Sequence, residues 1–188
     1  MQNSSTVIYL FKFHDKTQDV FVKEELRKLF NMGKHSLHIS DDYNDTFRIA
    51  SSLLNDNSIH FLNNGTNNIS EKTQNLLVPY FDKLNDKNED YCLTSSLILE
   101  MYGLRIAKDI DYLNHTDEKL NLSDTGLHEG IWEQYYHTNK DNIIYNPEHF
   151  FYFNGFKFAT LDIIKKMKMR RNEYKDQIDI KLIETINN

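Results

Sequence analysis

Between Tyr91 and His115 the sequence YCLTSSLILEMYGLRIAKDIDYLNH compresses two predicted strands and a helix into one short stretch. Tyr91 to Thr94 is aromatic, apolar and β-branched, as a buried strand requires. Ser95 and Ser96 are small enough for a tight turn, Leu97 to Tyr102 continues as a helix, and Gly103 supplies its left-handed cap. Asp109 to Leu113 then alternates polar and apolar side chains, the pattern of a second strand. A strand, helix and strand this close together commit this part of the chain to a mixed α/β core.

The remainder supplies enough apolar material for that core. Of 188 residues, 39% are hydrophobic and 13% aromatic, and a chain of this size buries roughly 70% of its unfolded surface. Lys and Arg number 22 against 28 Asp and Glu, a formal charge of −6. An acidic balance argues against an extended nucleic-acid groove, which needs a basic surplus to release counterions. Cys92 is the single cysteine, so an intramolecular disulfide and a Cys-rich zinc site are excluded. The first residues show no charged segment followed by a long apolar one, and no apolar run approaches the ~18 residues of a membrane helix. The expectation is a soluble, cytoplasmic protein with no membrane partner.

Before the central stretch the pattern predicts β-α-β-α-β. Val7 to Phe13 reads as a strand, and Asp19 to Asn31 as a helix with Phe21, Val22, Leu26, Leu29 and Phe30 at helical spacing. SLHIS (Ser36 to Ser40) reads as a second strand. Asp41 and Asp42 are candidate caps for a helix carrying Phe47, Ile49, Ala50, Leu53 and Leu54. Ser58 to Leu62 closes the unit as a third strand. The Asn-rich NNGTNNIS (Asn63 to Ser70) reads as a linker, giving an N-terminal α/β subdomain over 1–68 and a second domain over 69–188. Glu71 to Leu84 opens the second domain as a helix that Pro79 is expected to kink or restart.

The central stretch also carries the chemistry. Alternation on a strand points Asp109 and Asp111 the same way, so the two can share a hard cation, magnesium or manganese, with a substrate's phosphates. The turn at Ser95 and Ser96 offers backbone N–H groups and hydroxyls where an anion can sit, and Thr94 precedes it. A carboxylate pair facing an anion pocket is an arrangement for phosphoryl or nucleotidyl transfer.

These residues resemble the signature of the DNA polymerase beta-like nucleotidyltransferase superfamily, in particular its AbiEii-like and minimal nucleotidyltransferase-type members. In that signature a Gly-Gly or Gly-Ser turn on a helix is followed by Asp-hydrophobic-Asp on a strand. Here Ser95-Ser96 stands at the turn, Tyr102-Gly103-Leu104-Arg105 and Lys108 match the Gly step and its basic residues, and Asp109-Ile110-Asp111 supplies the carboxylates. Lys165 to Arg171, then Lys175-Asp176 and Asp179, match the C-terminal helix. The resemblance covers about residues 91–183. It implies a nucleotidyltransferase-like core with a mixed sheet flanked by helices, and a magnesium-dependent enzyme that moves a nucleoside monophosphate from an NTP to a sugar, metabolite, tRNA or protein acceptor. It implies that Asp109 and Asp111 hold the metal, and that Thr94, Ser95, Ser96, Arg105, Lys108, Lys168, Arg171 and Lys175 bind the nucleotide. The alternative is a catalytically inactive module of the same fold that binds or regulates. The departure from the pattern is at Ser95, where the family's first glycine admits a phosphate close to the backbone.

Sites of this type add a third carboxylate. Asp141, just before Asn142 to Tyr145, is the candidate, ahead of Glu129, Glu133 and Glu148. Residues 157–175 hold seven basic side chains against Asp162 and Glu173, a local +5 within an otherwise −11 chain. On one continuous helix Lys168, Arg171 and Lys175 would share a face and form a rail for a triphosphate, while Asp179 would partner a base. None of the eight histidines has the spacing of a metal site; His128 and His149 flank aromatic segments in which Trp132, Tyr135 or Tyr136 are candidates to line an acceptor pocket. Cys92 reads as a small buried hydrophobe.

Overall fold

The computed structural model describes residues 9, 17–31, 37, 39–40, 42–66 and 68–186. They divide into two units, Met1–Thr46 and Phe47–Asn188. In the first, Thr17–Phe30 forms helix α1, as its apolar spacing predicts. The strand expected over 7–13 lies outside the described residues save for Tyr9, and of the one expected over 36–40 the described residues, 37, 39 and 40, are not in a strand. Asp42 accepts the Asp45 N–H at 2.8 Å, the cap expected for helix α2, Tyr43–Leu53.

The expected strand at Ser58 to Leu62 is a helix instead: α3 runs Asp56–Asn64. Its cause is local, because the Asn55 side chain accepts the Ser58 N–H at 2.8 Å and so starts a helix. Ser58 and Phe61, three apart, then fall on the buried face. The Phe61 ring stacks on Phe151 at 4.5 Å. Gly65 ends the helix against that same ring, where a Cβ would lie 2.3 Å from Phe61 Cε2. The Asn-rich segment that follows belongs to the second unit, and the Thr66 N–H donates to the Met101 carbonyl at 2.9 Å. Helix α4, Glu71–Leu84, passes through Pro79 without ending there, and buries Thr73, Leu77, Tyr80 and Leu84.

A short 3-10 helix, Asn85–Asp90, leads into the sheet. Strands β1 (Tyr91–Thr94), β2 (Ile110–Asn114), β3 (Thr125–Leu127), β4 (Phe150–Phe153) and β5 (Phe156–Ala159) lie in the order β3-β2-β1-β5-β4. The sheet is mixed: β1 runs antiparallel to β2 and parallel to β5, β3 parallel to β2, and β4 antiparallel to β5. Every residue of β1 is buried, which is why its sequence is apolar without alternation. The β4–β5 hairpin closes on Asn154 and Gly155, with φ of 52° and 81°, the pair that a two-residue turn of this hand requires.

Register sorts the two faces. Leu93 pairs with Tyr112 and Phe158, and this face meets α3 and α4 through Phe61 on Phe151 and Tyr80 on Tyr112. Thr94 and Asp111 are paired on the other face. Between β1 and β2 sits helix α5, Ser96–Met101, buried throughout. Helix α6 (Lys140–Tyr145) follows a 3-10 turn at Gly130–Tyr135. Helix α7 (Leu161–Arg171) is capped by Thr160 and stopped by Asn172 at φ 54°, and α8 spans Tyr174–Glu184. The fold is therefore mixed α/β, a five-stranded mixed sheet flanked by helices. Among the described residues no helix is long and apolar enough to cross a membrane.

Candidate functional site

The site starts at the end of β1. Ser95 adopts φ 60° and ψ −135°, a conformation that costs a non-glycine residue about 1–3 kcal/mol and that packing must enforce. It is enforced by a buried strand on one side and a buried helix on the other. The position where the resemblance expects glycine is thus one where glycine would be unstrained. Ser95 and Ser96 are themselves largely buried.

Across the ladder from Thr94 lies Asp111. Its Oδ2 is 3.4 Å from His128 Nε2. His128 Nδ1 is 2.8 Å from the Tyr136 hydroxyl, which is 2.9 Å from Thr94 Oγ1. The imidazole is 6% exposed and lies parallel to the Trp132 indole, 12° between planes and 5.4 Å between centroids. The His128 backbone N–H donates to the Tyr112 carbonyl at 2.9 Å, fixing the residue to β2. Burial pushes the Asp111 carboxyl up, but the His128 side chain, with the Ser95 side chain and the Arg171 charge, outweighs it and holds the carboxyl below the ordinary value. The group is an anion at neutral pH. Asp109 lies just before β2 and is exposed, as is Lys108.

The basic residues are placed otherwise than as a rail. Lys168 is 1% exposed and its ammonium meets Asp179 at 2.7 Å and Asp176 at 3.3 Å. Arg171 grips Asp176 with two hydrogen bonds of 2.6 and 2.8 Å. Arg105 grips Asp179 in the same way, at 2.6 and 2.8 Å, so Asp179 partners two bases. Helix α7 ends at Arg171, and the single face that would align Lys175 with Lys168 does not form. Lys175 sits on α8, exposed, 3.0 Å from Glu173.

Asp141 lies in the first turn of α6 and its Oδ1 is 2.8 Å from His115 Nδ1. His115 follows β2 directly, four residues from Asp111, about 13 Å of extended strand. Glu129 is paired with Lys119 and Glu133 lies 3.8 Å from Lys140. A cavity of about 520 Å³ is lined by Tyr112, Leu120, Leu127, Lys119 and Glu129. Tyr112 and Leu127 alternate with Asp111 and its register partner Gly126, so this cavity opens on the opposite face from the Ser95–Asp111 corner.

Magnesium binds through one or two carboxylates and completes its shell with water and phosphate oxygens. Asp109 and Asp111 are carboxylates of that chemistry, the first exposed and the second largely buried. Among the described residues no three or more His, Cys, Asp or Glu side chains gather into a cage made by the protein alone. The structure also supplies a cradle, since a Cβ on Gly126 would lie 2.6 Å from Asp111 Oδ1. Gly126 and the buried contacts of His128 escape sequence reading. The signal for the first is a glycine inside Thr-Gly-Leu where no turn needs one; for the second there is none, since only folding brings residue 128 beside 111. No family model, no curated protein and no solved structure matches the chain.

Proposed function

We propose that the chain is a magnesium-dependent nucleotidyltransferase that moves a nucleoside monophosphate from an NTP to a small-molecule, tRNA or protein acceptor. The observation that carries this reading is the strained Ser95 turn at the end of a buried strand, with Asp111 directly across the ladder. Asp109 and Asp111 would hold the metal, which supplies Lewis-acid stabilisation of charge on the phosphates when bound. Ser95 and Ser96 present the turn against which phosphate oxygens are held. His128 and the neighbouring Arg171 charge keep Asp111 ionised, and exposed Lys108 lies beside Asp109 for phosphate contact.

One observation favours the second reading, a module of the same fold that binds a nucleotide without turning it over. Lys168, Arg171 and Arg105 are committed to Asp176 and Asp179, which leaves little cationic charge for a leaving pyrophosphate. Incubation of the chain with magnesium, each α-labelled NTP and a cell extract separates the two. Transfer of label to an extract component, abolished by Asp111→Asn, is the expected result; saturable NTP binding with no transfer selects the module, and neither overturns both.

A further inference from the structure

Asp111 meets a partner at one carboxylate oxygen and has room at the other. Oδ2 faces His128 Nε2 at 3.4 Å, and Oδ1 occupies the place a side chain on residue 126 would take, 2.6 Å from an ideal Cβ there. The contacts continue behind the imidazole. Tyr136 is buried, and its hydroxyl stands between His128 Nδ1 at 2.8 Å and Thr94 Oγ1 at 2.9 Å. A carboxylate accepts only, so a hydrogen shared with Asp111 belongs to Nε2, and in that tautomer Nδ1 accepts from the Tyr136 O–H. The Tyr136 oxygen then accepts from the Thr94 O–H. Each hydrogen of the chain has one acceptor. The Arg170 guanidinium, donating to the Tyr136 carbonyl at 3.0 Å, ties the segment that bears Tyr136 to α7. Trp132 covers one face of the imidazole.

We infer that His128, backed by Tyr136 and Thr94, is the positioning residue that orients Asp111 for a divalent cation, and that residue 126 is glycine to leave Oδ1 its place. The inference rests on the proposed reading of Asp111 as a metal ligand. A carboxylate fixed on one oxygen by a donor presents the other without a search over rotamers, and loss of such outer partners typically weakens metal affinity by 10–100-fold.

The test uses the full chain with manganese alone as the probe, free Mn²⁺ being followed by electron paramagnetic resonance, and thermal unfolding as the control for folding. The wild type is expected to bind one Mn²⁺ and Asp111→Asn to lose it. His128→Leu is expected to weaken binding about 10-fold or more, and His128→Gln, which keeps an N–H donor, to restore it to within about 3-fold. Gly126→Ala is expected to weaken binding similarly while remaining folded, because the displaced atom is the end of a side chain. Wild-type affinity in folded His128→Leu overturns the inference. Absence of Mn²⁺ binding in the wild type overturns the metal reading, and the inference with it. Long-range ¹H–¹⁵N spectra of His128 are expected to show the Nε2–H tautomer, changed by Asp111→Asn; an Nδ1–H tautomer indifferent to Asp111 overturns it.

Discussion

Two corners of this molecule carry its densest charge, and they are built in opposite ways. In the C-terminal corner three cations, Lys168, Arg171 and Arg105, meet two buried aspartates, and each carboxylate is gripped by two bases. At the Ser95–Asp111 corner one half-buried carboxylate meets His128, backed by the Tyr136 and Thr94 hydroxyls, beside an exposed Asp109 and a strained turn. The first is closed on itself, whereas in the second Asp109 stands exposed. What separates them is satisfaction, not charge: all seven basic residues of 157–175 have protein partners, from Lys157 against Glu89 and the Ile144 carbonyl to Lys165 with Glu184, Lys166 with Asp162 and Arg170 on the Tyr136 carbonyl.

The sharpest way to break the comparison is to open the closed corner. Asp176→Ala leaves Lys168 and Arg171 with one buried partner removed, and is expected to cost about 3–5 kcal/mol, read by urea unfolding. Acid should report the same network. Asp176 and Asp179 are each pushed up by burial and brought below the ordinary carboxylate range by Arg171 and Arg105 respectively, with Lys168 shared. A carboxyl depressed in the folded state adds stability that is complete above its unfolded value, about pH 4, and is lost as pH falls through the lower folded value. The contribution of this pair is therefore expected to be flat from pH 7 to 5 and to fall below about 4, with a shallower fall in Asp176→Ala.

Glu100 tests the frame between the corners. Its carboxylate is buried and accepts from the Ser70 N–H at 2.7 Å, the Thr73 hydroxyl at 2.8 Å and the Ala107 N–H at 2.6 Å, tying the segment before α4 to the loop that delivers Asp109. Glu100→Gln turns one accepting oxygen into a donor facing donors, and is expected to cost about 1–3 kcal/mol in the same assay. Lys175→Ala removes only an exposed pair with Glu173 and is expected to stay within about 0.5 kcal/mol of the wild type.

The strand, turn, helix and strand from Tyr91 to Asn114 were legible because each element is announced locally: an apolar run, two small residues, a glycine at φ 68°, an alternation. Cys92 is buried and unreactive, its thiol pushed up to about 12 by burial, as its apolar setting implies. Ser-Ile-His-Phe-Leu, taken alone, has a strand's composition, and the signal that decides for the helix at Asp56–Asn64 is Asn55, three residues before the run. The partners of Asp111 were not legible at all. Residues 126 and 128 reach it only because β3 joins β2 in parallel, a pairing that no local pattern encodes. The basic stretch was legible as charge, yet its partners, among them Glu89, Asp179 and Glu184, lie outside it.

The function proposed above has the Ser95–Asp111 corner bind a metal-bridged nucleotide. Titration of each magnesium-NTP into the wild type and into the Asp109→Ala, Asp111→Ala double variant by calorimetry tests it most directly. The account predicts saturable binding that requires magnesium and is lost in the variant. Absence of magnesium-dependent binding in the wild type, or the same binding in both chains, would contradict it.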